Sequence, residues 1–132
     1  MTKIAIMQPT FLPWIGYFSL IKKVDKFIFL DSVQFDKRSW QQRNKIRNNN
    51  KFMYVTVPVL SKNKFDQKIS EVKIDKSSEY IEKHLKSLKL NYSSANYFDL
   101  YFHDLKKIYD NNFEYLSELN INLIKHFSNL LN

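Results

Sequence analysis

Apolar positions recur with two different periods along this chain, and the change of period divides it into an α/β front and a helical back. Lys3 to Met7 is a short apolar run with β-branched members, closed by Gln8-Pro9, and predicts a short buried strand. A loop follows over Thr10 to Trp14. Gly16 to Val24 then predicts a helix whose inner face carries Phe18 and Ile21, with Leu20 and Val24 less well spaced. Lys22 and Lys23 point outward at its carboxyl end, where positive charge suits the helix dipole. Lys26 to Leu30 predicts a second buried strand ending at Asp31. Strand, short helix and strand in that order predict a βαβ unit with parallel strands.

Asn44 to Arg47 and Lys51 to Val59 flank Asn48-Asn49-Asn50, whose side chains tolerate left-handed turn geometry, so a β-hairpin is expected. In its second arm Met53, Val55, Val57 and Val59 alternate with Tyr54, Thr56 and Pro58. Pro58 cannot donate to a ladder, so that strand ends or lies on an edge there. Ser61 to Lys68 reads as a polar loop and Ile69 to Ile74 as a further short strand. Three helices follow: Glu79 to Leu90, capped by Ser77 or Ser78; Asn96 to Tyr109; and Phe113 to Leu131. Leu116, Leu119, Leu123, Phe127 and Leu130 form one stripe on the last. The fold class expected is therefore α/β: a mostly parallel, Rossmann-like sheet with a β-hairpin and a helical carboxyl-terminal half.

Composition narrows the function classes. At 132 residues a single domain over 1–132 is expected, and 44% hydrophobic and 16% aromatic residues suffice for a core. The absence of cysteine excludes disulfides, thiolate metal sites and a cysteine nucleophile. Lys3 precedes too short an apolar run for a signal peptide, and no run approaches the ~20 apolar residues of a membrane span, so a cytoplasmic location is expected. The net charge of +8 points to an anionic partner, although AT-rich codon usage, evident in abundant Lys, Asn, Ile, Phe and Tyr, accounts for part of it. His84, His103 and His126 match no metal-ligand spacing, and glycine-rich phosphate loops are absent. No metal site is assigned, and no cofactor is specified.

Two segments carry candidate chemistry. The first is the loop and helix after the first strand, with Gln8, Trp14, Tyr17 and Gly16, the only glycine of the chain. Such a glycine permits close backbone approach or a positive φ, and a helix amino terminus at the carboxyl edge of a parallel sheet suits an anion. The Pro13-x-x-Gly16 spacing resembles the nucleotidylyltransferase superfamily, whose paired histidines are missing here. The second segment runs from Asp31 to Arg47. Asp31 ends a strand at the edge where α/β active sites gather, and a carboxylate there can act as general base, hydroxyl ligand or metal ligand. Lys37, Arg38, Arg43, Lys45 and Arg47 add positive charge suited to phosphate, and Trp40 offers a stacking face.

The same segments carry a family resemblance. Ile4-Ala5-Ile6-Met7-Gln8-Pro9-Thr10-Phe11-Leu12-Pro13-Trp14-Ile15-Gly16-Tyr17-Phe18 resembles the opening signature of WbqC-like proteins. Phe29-Leu30-Asp31-Ser32-Val33-Gln34-Phe35 and Lys37-Arg38-Ser39-Trp40-Gln41-Gln42-Arg43-Asn44-Lys45-Ile46 resemble their second. Thr56 to Val59, the Tyr92 region and Leu119-Asn120 fit as well. The resemblance implies a role in bacterial O-antigen or other surface-polysaccharide biosynthesis, as an aminoacyl or acyl transferase acting with a group such as glycine on a nucleotide-linked amino sugar. It implies Asp31 as base or hydroxyl-orienting group, and Gln8, Trp14, Gly16 and Tyr17 along the pocket. Lys37, Arg38 and Arg43 would then meet phosphate, with Gln34, Trp40 and Asn44 orienting the substrate. The partner expected is a nucleotide-activated sugar or another phosphorylated small molecule. A nucleic-acid partner is disfavoured and a homodimer is a further expectation; the alternative is a non-catalytic nucleotide or nucleic-acid binding module, or an interaction subunit of a biosynthetic complex. Family members extend beyond the point matching Asn132, so an incomplete or shortened domain is expected.

Overall fold

The two short apolar strands pair in parallel, as the βαβ pattern requires. The computed structural model describes residues 1–131; Asn132, the last residue of the expected domain, lies outside them. Strand β1 (Ile4–Met7) is followed by helix α1 (Ile15–Lys22) and strand β2 (Lys26–Phe29). Ile4 stands opposite Lys26 and Met7 opposite Phe29. A hairpin comes next, β3 (Arg43–Asn48) and β4 (Lys51–Thr56), with Asn48 opposite Lys51 and Asn49 in the left-handed region at φ 53°. Strand β4 stops two residues before Pro58. Helices α2 (Tyr80–Tyr92), α3 (Phe98–Asp110) and α4 (Leu116–Leu130) complete the described chain.

The architecture is mixed α/β, but the expected mostly parallel Rossmann-like sheet does not form. The strands make two separate two-stranded sheets, one parallel and one antiparallel. The first strand is not buried either: Ile4 and Ile6 are 54% and 55% exposed, and Ile28 of β2 is exposed beside them. Strand alternation explains this. Phe27 and Phe29 turn to the other face, where Phe27 packs on the buried ring of Tyr17 at 5.4 Å, and no described residue covers the Ile4, Ile6 and Ile28 side.

The expected strand over Ile69 to Ile74 is instead a turn of 3-10 helix (Ile69–Glu71) followed by extended chain that makes isolated bridges, Val59 to Ile74 and Lys73 to Tyr115. The spacing of three between Ile69 and Val72 fits a turn, and the Glu71 carboxylate closes it by accepting from the Lys68 backbone N–H at 2.9 Å. Ile69, Val72 and Ile74 are all buried. The start of α2 also differs. Ser77 and Ser78 lie in a separate short turn where Asp75 accepts from Ser77 N–H, and Glu79, at φ 51°, precedes the helix. An Asp two residues upstream competes for the serine better than the helix does.

The core lies between the hairpin, the 3-10 turn and the three helices. Phe11, Val55, Val57, Ile69, Val72, Tyr109, Leu116, Leu119 and Leu123 are buried there. The stripe of α4 is buried at Leu116, Leu119 and Leu123, half-buried at Phe127 and exposed at Leu130. No helix among the described residues is long and apolar enough to cross a membrane.

Candidate functional site

The parallel pair ends at Met7 and Phe29, where the Leu30 N–H donates to the Met7 carbonyl at 2.8 Å, and the chain past each end carries a polar side chain. Gln8 follows β1 and Asp31 follows β2. The carboxyl edge of parallel strands is where ligands of open α/β sheets bind, because backbone turns and helix termini converge there. The structure therefore brings Gln8 and Asp31 to one edge, and it adds two polar groups from α4. The Ser117 hydroxyl donates to Asp31 Oδ2 at 2.9 Å. The fully buried Asn120 donates through Nδ2 to the Gln41 carbonyl at 2.8 Å and to the Pro9 carbonyl at 3.3 Å.

Gln41 ties these groups together. Its Nε2 donates to Gln8 Oε1 at 2.9 Å, and its Oε1 accepts from the Asp36 N–H at 3.0 Å. Gln8 thus has its side-chain oxygen occupied and its amide nitrogen free of any described protein acceptor. Asn120 Oδ1 is buried and finds no donor among the described residues. The Tyr17 hydroxyl donates to the Gln8 carbonyl at 2.8 Å. Burial raises its phenol well above the usual tyrosine range, so it stays protonated and acts as a donor rather than a base.

The other expected site residues fall into three groups. Asn44 holds the first loop: its Nδ2 donates to the carbonyls of Leu12 at 2.6 Å and Phe11 at 3.2 Å, fixing the left-handed turn at Leu12. Gln34 and Lys37 hold the second loop, Gln34 Nε2 donating to the Phe65 carbonyl and Lys37 Nζ to the Ser61 carbonyl. Trp14, Arg38, Trp40 and Arg43 lie toward solvent. Trp14 and Trp40 are exposed, Arg38 sits at φ 59° with its N–H on Gln42 Oε1, and the Arg43 guanidinium stacks on Tyr54 at 4.6 Å.

Gly16 does not adopt a positive φ. Its role is close approach: the Trp14 indole lies over its α-carbon, and an added Cβ would run into the ring's Cη2 and Cζ3. The ring, rather than a ligand, fills the space that glycine leaves.

Gln41, Ser117 and Asn120 carry no site role in the sequence reading, although Gln41 and Asn120 lie in segments of the family resemblance. Asn120 and Ser117 could have been singled out: they are polar residues set into the apolar stripe of α4, Asn120 one turn beyond Leu116. The largest cavity described, about 380 Å³ between α2, α3 and α4, lies elsewhere. Tyr92, Phe98, Phe102, Leu105 and Phe127 line it almost without polar atoms, and none of Gln8, Asp31, Ser117 or Asn120 borders it.

Comparison with known proteins fits the two motifs. Residues 8–132 match the model described as the WbqC-like protein family. A relative from Mycobacterium tuberculosis, "Uncharacterized protein Rv1507c", is 44% identical over 98 residues, which make up 74% of this chain and 42% of that protein. The chain thus matches less than half the length of this curated relative. No solved structure matches the chain.

Proposed function

The chain belongs to the WbqC-like protein family, and from that premise we propose that it acts in bacterial surface-polysaccharide biosynthesis, transferring an aminoacyl or other acyl group to a nucleotide-linked amino sugar. The observation that supports this reading is the convergence of Gln8 and Asp31 at the carboxyl ends of adjacent parallel strands, with Ser117 on Asp31. In the proposed step the sugar amine attacks the acyl carbonyl. The new C–N bond forms as the bond to the donor's leaving group breaks, and the amine proton passes to Asp31 and then to the leaving group. Ser117, donating to Oδ2, holds the carboxylate so that Oδ1 faces the amine. The free amide nitrogen of Gln8 donates to a sugar oxygen. Arg38 and Arg43 meet the diphosphate, with Trp14 and Trp40 as exposed ring faces for base or sugar. Gln34, Lys37 and Asn44 act by holding the two loops.

Thermal shift against a panel of nucleotide-activated amino sugars tests binding, and an acyl-transfer assay tests chemistry. Asp31→Asn should keep the ligand-induced shift and lower transfer by about 10²–10⁴-fold. Arg38→Ala should weaken binding. A cooperatively melting protein that no nucleotide sugar stabilises would refute the reading.

A second reading, an interaction subunit that self-associates, draws on the uncovered Ile4, Ile6 and Ile28 face. Two-stranded sheets are marginal alone, and parallel strands are ordinarily covered on both faces. Light scattering should then report a dimer that Ile6→Lys dissociates; a monomer at all concentrations removes this reading.

A further inference from the structure

Charge is not spread evenly over this molecule. Residues 37–65 contain eight Lys and Arg and no Asp or Glu, which leaves 13 Lys and Arg against 13 Asp and Glu elsewhere in the chain. The whole net charge of +8 therefore resides in the hairpin and the two loops that flank it. Neither ion pair formed among the described residues, Lys73–Glu114 or Lys107–Asp104, involves this segment.

The hairpin orders that charge. Strand alternation sends Asn44 and Ile46 inward, Asn44 to the Leu12 carbonyl and Ile46 into the core, so Arg43, Lys45 and Arg47 share the outer face. Opposite Lys45 and Arg47 in register stand Tyr54 and Phe52, both exposed. Lys45 Nζ lies 4.2 Å from the Phe52 ring centroid and Arg43 Cζ 4.6 Å from that of Tyr54. The loops repeat the pattern: Lys37 Nζ sits 5.1 Å from the ring of Phe65, which is 75% exposed, and Trp40 is exposed nearby in sequence. The Phe65 loop is held in place by Gln34 Nε2 on its carbonyl and by Lys37 on that of Ser61. Phe52, Tyr54 and Phe65 are thus held out in water on fixed backbone, each with a cation alongside.

We infer that this face docks peripherally on an anionic lipid surface. Clusters of four to eight Lys and Arg are drawn to such surfaces, and aromatic rings settle at headgroup depth while lysine stems extend back toward phosphate. A single-stranded nucleic acid fits less well. It needs open ring faces on which bases stack, and here one face each of Phe52, Tyr54 and Phe65 already carries a cation. The docking face shares Arg43 and Trp40 with the substrate reading above, but Lys45, Lys51, Phe52, Lys64 and Phe65 have no part in that reaction, so replacing them tests the lipid surface alone.

Cosedimentation of the full chain with vesicles tests this. The protein should sediment with phosphatidylcholine vesicles containing phosphatidylglycerol and not with phosphatidylcholine alone. Raising salt from ~0.1 M to ~1 M, which shortens screening from about 10 Å to about 3 Å, should release it. Replacing Lys45, Lys51 and Lys64 together by Ala should weaken partitioning about a hundredfold, at about fivefold per lysine. Phe52→Ala with Phe65→Ala should weaken it while leaving the salt dependence intact. All five side chains are exposed, so unchanged urea unfolding checks that the variants fold. Equal binding to neutral vesicles, no binding to either kind, or full binding by the triple-lysine variant overturns the inference. Tighter binding to a single-stranded oligonucleotide than to anionic vesicles overturns it as well and assigns the face to nucleic acid.

Discussion

His84 should make the stability of this protein depend on pH, with a sign that its hydrogen bonds dictate. The imidazole is buried among the rings of Phe11, Tyr80 and Tyr109. Its Nε2 lies 2.9 Å from the Thr56 carbonyl, which can only accept, so Nε2 carries the proton. Nδ1 then holds the lone pair and accepts from the Tyr109 hydroxyl at 3.1 Å. Burial pushes the Tyr109 phenol far up, so that donor persists across the usable pH range. Protonating Nδ1 would set two donors against each other in a site closed to water. Burial accordingly lowers the His84 pKa, with the Thr56 carbonyl opposing in part. A group whose folded pKa is depressed below about 6.5 contributes fully above that value and loses its contribution as pH falls toward the folded pKa. Within that window unfolding should become easier by up to ~1.4 kcal/mol per pH unit. The assay is urea unfolding from pH 8 to pH 5 for the wild type and His84→Leu. Leucine leaves the Thr56 carbonyl and Tyr109 hydroxyl without partners, so the variant should be less stable at pH 8 by about 1–3 kcal/mol per group. The gap should narrow as pH falls, because only the wild type loses stability through the imidazole. A gap that stays constant or widens toward acid would refute both the tautomer and the direction of the shift.

Three further outcomes follow from other contacts. Asn120→Leu strips the Pro9 and Gln41 carbonyls of their donor while removing an acceptor that itself lacks one, so urea unfolding should report a net loss of about 1–3 kcal/mol. Gly16→Ala should drive the Trp14 ring off the helix, altering tryptophan emission, while stability changes little because the ring is exposed and alanine favours helix by ~1 kcal/mol. Tyr92→Phe removes the oxygen that accepts the Arg47 N–H at 2.8 Å, and amide exchange at Arg47 should speed up with less than about 1.5 kcal/mol lost overall.

Elements with an undisturbed period were legible in the sequence. The β1–α1–β2 order, the Asn-rich hairpin turn and three helices all appear where the spacing placed them, with ends shifted by at most three residues. Where the reading failed, a nearby side chain had competed for the backbone and overridden the apolar spacing. Ile69, Val72 and Ile74 have a spacing that serves turn or strand, and the Glu71 carboxylate decides for the turn. Ser78 has the chemistry of a helix cap, but Asp75 orders the Ser77 and Ser78 turn first. The exposure of Ile4 and Ile6 was hidden for a different reason. An apolar β-branched run identifies a strand, but whether its face is covered depends on what packs over the sheet, and no described residue covers this one. Of the candidate site, Gln8 and Asp31 were legible because strand ends are legible. Their partners Gln41, Ser117 and Asn120 were not, because those contacts join residues 33 to 111 positions apart.

That long reach bears on how the edge is built. Apolar packing is non-directional: it brings α4 against the core but does not set the height of the loop after β1 relative to the loop after β2. The hydrogen bonds of α4 do set it. Asn120 clamps Pro9 and Gln41 with one amide, Ser117 fixes Asp31 one turn earlier on the helix, and Gln41 hands the alignment on to Gln8. Two polar side chains on a face otherwise filled by Leu116, Leu119, Leu123 and Ile124 therefore position both loops at once. An apolar residue at position 120 would pack there without holding either loop. The edge at Gln8 and Asp31 is thus a product of tertiary folding, completed only when α4 docks, although Gln8 and Asp31 themselves belong to the first 31 residues.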